Sequence, residues 1–458
     1  TSSVNNTGTI TNSGTGSGTT LISAPLGSSV TNLIENSSSS ALTISSTSNA
    51  YTGTTTITSG TLKLGAAGVI PDGSAVTVTG TLDLGGYSET VGSIAGAGTI
   101  TSSATGTLTL TAGGDNTSTA FSGTLQDGTA TSVALTKAGS GTLTLSGPNT
   151  YTGGTTIKAG TVVAGSSSAT ALGTGTVTLG DSSGGANNAS LLVSVTGLTY
   201  SNAIGLASTT TGTLTLGNTG TAVSTTFSGG VTGTNNLTIN SNGTTGTVTF
   251  SGSAINNAGT VTNIGAGSGA TLISGGVGSN VTGVIENSST SALSITTTAI
   301  TVATGGTTLT DTLGTFTVSG GVSGTGNLIL KNNTSTANSL TLQTSSVNNT
   351  GTITNSGTGS GATLISGGVG SNVTEVIEDS ATSGVTVSGV LNMNSTGTTL
   401  TNSNTTGTAL LTVSGGVVGV GDLVLNNNSA IANGITLSNN GVNNTGTITN
   451  SGTGSGAT

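Results

Sequence analysis

The chain has 458 residues and a formal net charge of −9, and only 4% of its residues are charged and 2% aromatic, whereas globular domains contain about 25% charged residues. It has 80 glycines and no Cys, His or Trp, which excludes disulfides, His-dependent catalytic triads and the common zinc sites. Abundant Thr, Val and Ile favour β-strands over disorder.

The chain opens with a segment that recurs. Residues 1–18, TSSVNNTGTITNSGTGSG, are repeated identically at 344–361, and related copies start at Ile255 and Val442. Equivalent positions in the last three copies lie 92 and 95 residues apart, and a second marker, SGGV, keeps nearly the same step at Val231, Val322 and Val417. Two independent markers with one period indicate tandem repeats.

These repeats predict three segments. Residues 1–40 form a partial long repeat, residues 41–225 differ in pattern, and residues 226–458 are tandem repeats of 92–95 residues. We expect one continuous solenoid that is a fragment of a longer protein, because the last repeat is incomplete.

Within each long repeat, short runs with apolar–polar alternation predict β-strands separated by turns rich in Gly, Asn and Ser. The examples from one repeat are Asn327–Leu330, Ser339–Leu342, Thr350–Asn355 and Ala362–Ser366. With few aromatic residues, the core must be narrow and aliphatic. The pattern favours an all-β, right-handed parallel β-helix with coils of about 20–30 residues over a sandwich or barrel.

A recurrent asparagine pair is the best candidate for a coil corner. Asn348-Asn349 has counterparts at Asn5-Asn6, Asn256-Asn257 and Asn443-Asn444. Asparagine tolerates positive φ, and its amides can form ladders from coil to coil. We expect these pairs to be structural.

The middle segment resembles a known family. GSGTLTLSGPNTYTGGTTIKAGTVVAG at 139–165, with a second copy NAYTGTTTITSGTLKLG at 49–65, resembles the passenger-associated repeat of bacterial autotransporters. The resemblance implies a right-handed β-helical passenger secreted by a Gram-negative-type bacterium and displayed outside the outer membrane. The remainder is similar in composition to such passengers and to large haemagglutinin-like adhesins.

The acidic residues carry the remaining candidate chemistry. Glu375, Glu378 and Asp379 form the densest group, but only the middle acid recurs, as Glu35 and Glu286. A lone carboxylate at a strand end is typical of a solvent-facing gatekeeper rather than a paired catalytic acid. Calcium binding is an alternative for two acidic pairs, Asp72 with Asp83 and Asp115 with Asp127. We predict no catalytic, cofactor-binding or metal site and expect that the protein is not an enzyme.

These features favour a structural protein outside a bacterial cell, acting as a rigid stalk or adhesin passenger. The alternative is a self-assembling filament, sheath or surface-layer protein. Candidate partners are glycans or proteins of a host or cell surface and further copies of the chain. The four basic residues are dispersed lysines, so nucleic acid is not expected as a partner. We also expect no membrane insertion within this segment and a location at the cell surface, anchored to the outer membrane in the full-length protein, or secreted.

Overall fold

The computed structural model describes residues 2–456, and throughout that range the chain is built from β-strands joined by turns, without a helix. Each strand pairs in parallel with a strand of the neighbouring coil, as β-strand residues Asn355 and Glu378 show by lying opposite each other. The predicted all-β parallel solenoid is therefore confirmed. No helix in the described range is long and apolar enough to span a bilayer.

The contacts divide the chain into two compact units, the first ending at Thr219 and the second beginning at Gly220. The boundaries predicted after residues 40 and 225 remain predictions.

The strands of the first unit are short. They are β1 (Gly8–Asn12), β2 (Thr20–Ile22), β3 (Val30–Asn36), β4 (Leu42–Ile44), β5 (Thr55–Ser59), β6 (Thr61–Leu64), β7 (Ala75–Val78), β8 (Thr81–Asp83), β9 (Glu89–Val91), β10 (Ser93–Ala95), β11 (Thr99–Thr101), β12 (Thr107–Ala112), β13 (Thr119–Phe121), β14 (Thr124–Leu125), β15 (Ser132–Lys137), β16 (Thr142–Leu145), β17 (Thr155–Ile157), β18 (Gly160–Ala164), β19 (Val177–Leu179), β20 (Ala189–Val193), β21 (Leu198–Tyr200), β22 (Ile204–Leu206) and β23 (Leu214–Asn218). Strands on one side of successive coils form parallel sheets, such as β1-β3-β5-β7-β10 and β13-β16-β18-β20-β23.

The second unit repeats this arrangement more regularly. Its strands are β24 (Thr225–Phe227), β25 (Val231–Gly233), β26 (Leu237–Asn240), β27 (Val248–Phe250), β28 (Gly259–Asn263), β29 (Thr271–Ile273), β30 (Val281–Glu286), β31 (Leu293–Ile295), β32 (Ile300–Val302), β33 (Thr307–Asp311), β34 (Phe316–Val318), β35 (Val322–Gly324), β36 (Leu328–Asn332), β37 (Leu340–Leu342), β38 (Gly351–Asn355), β39 (Thr363–Ile365), β40 (Val373–Glu378), β41 (Val385–Val387), β42 (Leu391–Asn392), β43 (Thr398–Asn402), β44 (Leu411–Val413), β45 (Val417–Val420), β46 (Leu423–Asn427), β47 (Ile435–Leu437), β48 (Val442–Thr445) and β49 (Ile448–Asn450).

Three parallel sheets enclose the core of the second unit. One runs from β26 through β28, β30 and their successors to β49, and another from β24 through β27 and β29 to β47. The third is narrow and continues through isolated bridges wherever its strands are shortest, as between Val347 and its partners Val322 and Val369. Every coil thus contributes one or more residues to each sheet.

The core consists mainly of aliphatic side chains, with a few buried aromatic rings such as Phe227 and Phe250. Alternation along β38 buries Ile353 and leaves Thr352 and Thr354 on the outer face, as the period of two predicts. Ile353 lies opposite Leu328 of the preceding coil and Val376 of the following one. Such ladders of β-branched and aliphatic residues stabilise stacked strands, because each Å² of buried apolar surface contributes about 25 cal/mol.

The strands predicted from one repeat are confirmed, since β36, β37, β38 and β39 each fall inside or overlap the expected runs. The Gly- and Ser-rich residues 356–361 lie between β38 and β39, where turns between strands are expected.

Candidate functional site: buried polar contacts between coils

The most distinctive side-chain arrangement joins the ends of two successive strands. Asn355 ends β38 and Glu378 ends β40, and both side chains are buried. The Asn355 Nδ2 atom donates to Glu378 Oε2 at 2.9 Å and also to the Ser383 carbonyl. Thr363 Oγ1 donates to Asn355 Oδ1 at 3.1 Å, so the amide is held on both sides.

Two serines extend this contact to the preceding coil. The Ser380 backbone N–H donates to Glu378 Oε1 at 2.8 Å. The hydroxyls of Ser380 and Ser383 donate to the carbonyls of Gly357 and Gly361 at 2.5 and 2.8 Å. We call this set of Asn, Glu and two Ser residues an Asn–Glu clasp. It satisfies the buried carboxylate and the turn carbonyls with groups from both coils, as buried polar atoms require.

The same clasp occurs at two other places at equivalent repeat positions. Its members there are Asn263, Glu286, Ser288 and Ser291 in the second unit, and Asn12, Glu35, Ser37 and Ser40 in the first. The Asn–Glu distances are 2.7 and 2.8 Å. A clasp is therefore a built-in element of the long repeat.

The clasp corrects the interpretation of the recurring glutamate. Glu35, Glu286 and Glu378 have exposed fractions of 1%, 0% and 0%, so they are buried structural residues and not solvent-facing gatekeepers. The signal was present in the sequence: Ser follows each Glu at the second and fifth positions, as the clasp requires. Burial raises the pKa of Glu378 to about 8 and that of Glu286 to about 7, although the donated hydrogen bonds oppose the rise.

A different inter-coil contact defines the 139–165 motif. Asn149 Nδ2 donates to the Ala171 carbonyl at 2.7 Å, and its Oδ1 accepts from the Leu125 N–H at 2.8 Å. One buried amide therefore connects the coil before it with the coil after it. Two residues on, the Tyr151 hydroxyl bonds Thr155 Oγ1 at 2.5 Å inside the core.

The 49–65 copy reproduces this geometry. Asn49 donates to the Val69 carbonyl at 2.7 Å and accepts from the Leu26 N–H at 2.8 Å. Tyr51 bonds Thr55 at 2.7 Å. The motif NxYTG thus encodes an amide bridge followed by a buried tyrosine, in both copies.

The asparagine pairs at 5–6, 256–257 and 348–349 lie outside the strands, as expected of corners, whereas Asn443-Asn444 lies inside β48. The pairs do not form amide ladders. Asn348 Oδ1 accepts from the Asn372 N–H of the next coil at 2.9 Å, whereas Asn349 Nδ2 donates to the Gly326 carbonyl of the previous coil at 2.8 Å. The amides bond to backbone groups because the pair must satisfy turns on both sides. Positive φ at described non-glycine residues occurs at other positions, such as Asn338 and Asn439.

Three of the four acids considered for calcium, Asp83, Asp115 and Asp127, accept hydrogen bonds from groups in their own turn or in the following coil. Asp83 accepts from the N–H groups of Gly85 and Ser103 at 2.9 and 2.8 Å. Asp127 accepts from the N–H groups of Val133 and Thr152 at 2.6 and 3.1 Å.

Asp115 accepts from the N–H and hydroxyl of Thr117 at 2.9 and 2.8 Å. Within residues 2–456, no three acidic, His or Cys side chains come together in a group that could hold a metal ion.

The dense acidic group is split between the two sides of β40. Glu378 points into the clasp, whereas Glu375 lies on the outer side and accepts from Thr401 Oγ1 at 2.5 Å. Asp379 is exposed and accepts from Ser403 Oγ at 2.7 Å. The structure therefore does not place any two of these three carboxyls opposite each other across a cleft.

One lysine is buried and was not singled out from the sequence. Lys137, at the end of β15, is 1% exposed and its Nζ donates to the carbonyls of Gly139 at 2.7 Å and Ala159 at 3.4 Å. Burial lowers its pKa to about 8, and the charge of Asp115 opposes that change. Lys137 also donates to the Ala138 carbonyl at 2.5 Å, so its Nζ donates to three backbone carbonyls at the corner of the coil.

The surface has broad, open depressions. One of about 510 Å³ is lined by residues such as Thr282, Gly306 and Ile329, and another of about 500 Å³ by Ser140 and Asn188 among others. Neither lining contains an aromatic or charged side chain.

The comparisons with known proteins agree with this geometry. Residues 38–64 and 135–164 match the family model described as the passenger-associated-transport-repeat, and each match contains or overlaps one of the NxYTG motifs. No curated protein and no solved structure matches the chain.

The chain is a parallel β-solenoid, and two segments of its first unit match a passenger-associated repeat. The two matches and the solenoid fit an autotransporter passenger domain. This repeat family implies a location at the cell surface or secretion, and suggests a structural rather than a catalytic role.

Proposed function

We propose that this chain acts as a rigid structural stalk in the passenger of an outer-membrane-anchored autotransporter. The observation that carries the proposal is the recurrence of the Asn–Glu clasp, which joins successive coils by buried side-chain hydrogen bonds in addition to the parallel strands. A repeat that contacts only its neighbours can be extended by adding coils without a new core. This architecture is suited to a long structural scaffold.

The outer face supports a dispersed rather than a localised contact role. Thr352 and Thr354 flank buried Ile353, and outward threonines recur two coils away, as Thr308 on β33 and as Thr399 and Thr401 on β43. The adjacent coils place Ile329, Glu375 and Ile377 opposite this pair. Threonine hydroxyls donate and accept hydrogen bonds without charge. A glycan or protein of a cell surface would therefore contact rows of side chains on one sheet, which is the adhesin form of the same function.

Electron microscopy of the purified chain over a wide range of protein concentrations tests the proposal. We expect elongated particles of constant length at every concentration. Filaments longer than one chain that grow with concentration would contradict the stalk and favour the self-assembling filament. Compact particles would contradict both roles.

A binding experiment separates the stalk from the adhesin. Cells or glycan-coated beads are incubated with the chain and with a variant in which outward Thr352 and Thr354 are changed to Lys. Saturable binding lost in the variant supports a direct adhesive contact on this face. Equal or absent binding for both restricts the chain to the stalk role.

A further inference from the structure

The strand ends of the second unit form a column of buried polar side chains. It contains two groups of four residues in consecutive coils, each with Asn first and an acid second. All members are at most 1% exposed. We call this set the polar column; its groups are Asn263, Glu286, Asp311 and Asn332, and Asn355, Glu378, Asn402 and Asn427.

The two groups differ at their third position. Asp311 lies opposite Glu286, whereas Asn402 lies opposite the equivalent Glu378. Asn402 Oδ1 accepts from a backbone N–H, and its Nδ2 donates to the carbonyls of Ala409 and Gly434 at 3.1 and 2.7 Å. At the third position of the second group, the side chain therefore donates hydrogen bonds to backbone carbonyls through its amide nitrogen.

An ionised Asp311 carboxylate can only accept hydrogen bonds and cannot donate them as the Asn402 amide does. Its Oδ1 accepts from the Gly314 N–H at 3.1 Å, but its buried Oδ2 has no hydrogen-bond partner within the described range. Ser339 lies near, yet its hydroxyl is engaged with Asn332 Oδ1 at 3.1 Å and Thr334 Oγ1 at 2.7 Å. Leaving a buried carboxylate oxygen unpaired is costly, whereas a protonated oxygen becomes a donor.

No cation compensates the pair. The ion pairs of the described chain involve Lys63 and Lys158, both in the first unit. Lys331 is on the neighbouring β36 but occupies an outward position between two buried residues. The groups that face Asp311 are Glu286 from the preceding coil and the uncharged Asn332 and Ser339 from the following one.

We propose that the folded second unit holds the Glu286–Asp311 pair with at least one bound proton at neutral pH, so that this unit takes up protons from water as it folds. Asp311 then acts as a hydrogen-bond donor in the place that Asn402 occupies one repeat later. Burial raises the pKa of Asp311, and burial together with the charge of Asp311 raises that of Glu286 to about 7. The consequence is a passenger whose coils are held more tightly in acid surroundings.

The test compares Asp311→Asn with the wild-type chain by urea unfolding near pH 5 and near pH 8. We expect the urea concentration at the unfolding midpoint of the wild-type chain to be lower at pH 8 than at pH 5. Asp311→Asn, which supplies the amide found at Asn402, should raise the midpoint at pH 8 and reduce the fall. Glu375→Gln is the matched control, because it removes an outward carboxyl of the same unit, and it should keep the wild-type pH dependence.

Two outcomes would overturn the proposal. One is an Asp311→Asn variant with the full wild-type pH dependence. The other is an effect of calcium at pH 8: calcium raises the urea midpoint of the wild-type chain but not that of Asp311→Asn. The pair would then hold a cation instead of a proton.

Infrared spectroscopy keeps the test valid if the variant does not fold. The wild-type chain at pH 7 should show the carbonyl band of protonated carboxylic acids in its folded state. That band should disappear when the same sample is unfolded in urea at pH 7. A folded chain without this band contradicts the proposal.

Discussion

Asn355 and Glu378 are 23 residues apart in the chain, yet their side chains are hydrogen-bonded at 2.9 Å inside the core. The contact exists because one coil of the solenoid returns the chain to the same edge of the sheet one strand further on. A pair of polar residues thereby fixes the register of two coils, since a shift of either strand by one residue would turn its polar side chain to the outer face and break the contact.

Removal of the amide from this pair should destabilise the second unit. Asn355→Ala deprives Glu378 Oε2, the Thr363 hydroxyl and the Ser383 carbonyl of the hydrogen bonds that Asn355 provides, which costs about 1–3 kcal/mol or more in the free energy of unfolding. Urea unfolding measures the loss, and hydrogen exchange should show faster opening of β40. Asn426→Ala is the control, because Asn426 occupies an outward position on β46. Equal losses in both variants would contradict a special role for the clasp.

The stability of the wild-type chain should depend on pH with a definite sign. The pKa values of Glu89 and Glu286 are raised to about 7 and that of Glu378 to about 8, chiefly by burial. A carboxyl with a raised pKa binds its proton more tightly in the folded state, so its stabilising effect is complete below about pH 4.5 and is lost as the pH rises through the folded-state value.

We therefore expect the free energy of unfolding to fall between about pH 4.5 and pH 8. Asp115 and Asp181 have lowered pKa values and titrate below this window. Lys137, with its pKa lowered to about 8, adds stability only as the pH rises beyond it. Urea titrations at several pH values check the slope, and a rise across the window would show that the glutamates are ionised in the folded protein.

The buried tyrosine of the passenger-associated repeat should contribute through its hydroxyl. Tyr151→Phe removes the bond to Thr155, and we expect a loss of about 1 kcal/mol in the free energy of unfolding of the first unit. Tyr51→Phe should behave alike because its bond to Thr55 is equivalent. Thermal unfolding followed by circular dichroism measures both. Tyr87→Phe, at an exposed position, should leave the melting temperature unchanged.

The glycine of the NxYTG motif should resist substitution. A Cβ atom at Gly53 would lie 1.6 Å from the Thr31 carbonyl oxygen of the preceding coil. Gly53→Ala must therefore separate the two coils locally, and we expect a loss of at least about 2 kcal/mol or failure to fold. Gly73→Ala is the comparison, because its Cβ would meet no atom within 4 Å. If both variants melt at the same temperature, the close approach does not limit the fold.

Composition, period and alternation determined the fold class of this protein. A chain with this spacing of Thr, Val, Ile and Gly can bury its aliphatic residues only as short strands stacked coil on coil, and β36 to β39 lie where the alternation predicted them. The segments 49–65 and 139–165 likewise indicated the repeat family that the comparison finds there. These properties are local or periodic, so they can be read along the chain.

Only the tertiary structure decided where the polar residues point. Glu375 and Glu378 are three residues apart on one strand, yet the first faces outward and the second is buried against Asn355. Sequence alone suggested a solvent-facing role for the recurring glutamate, because acids are rarely buried without a partner. The partner is a full coil away, and the register that brings it within hydrogen-bond distance arises only when the coils stack.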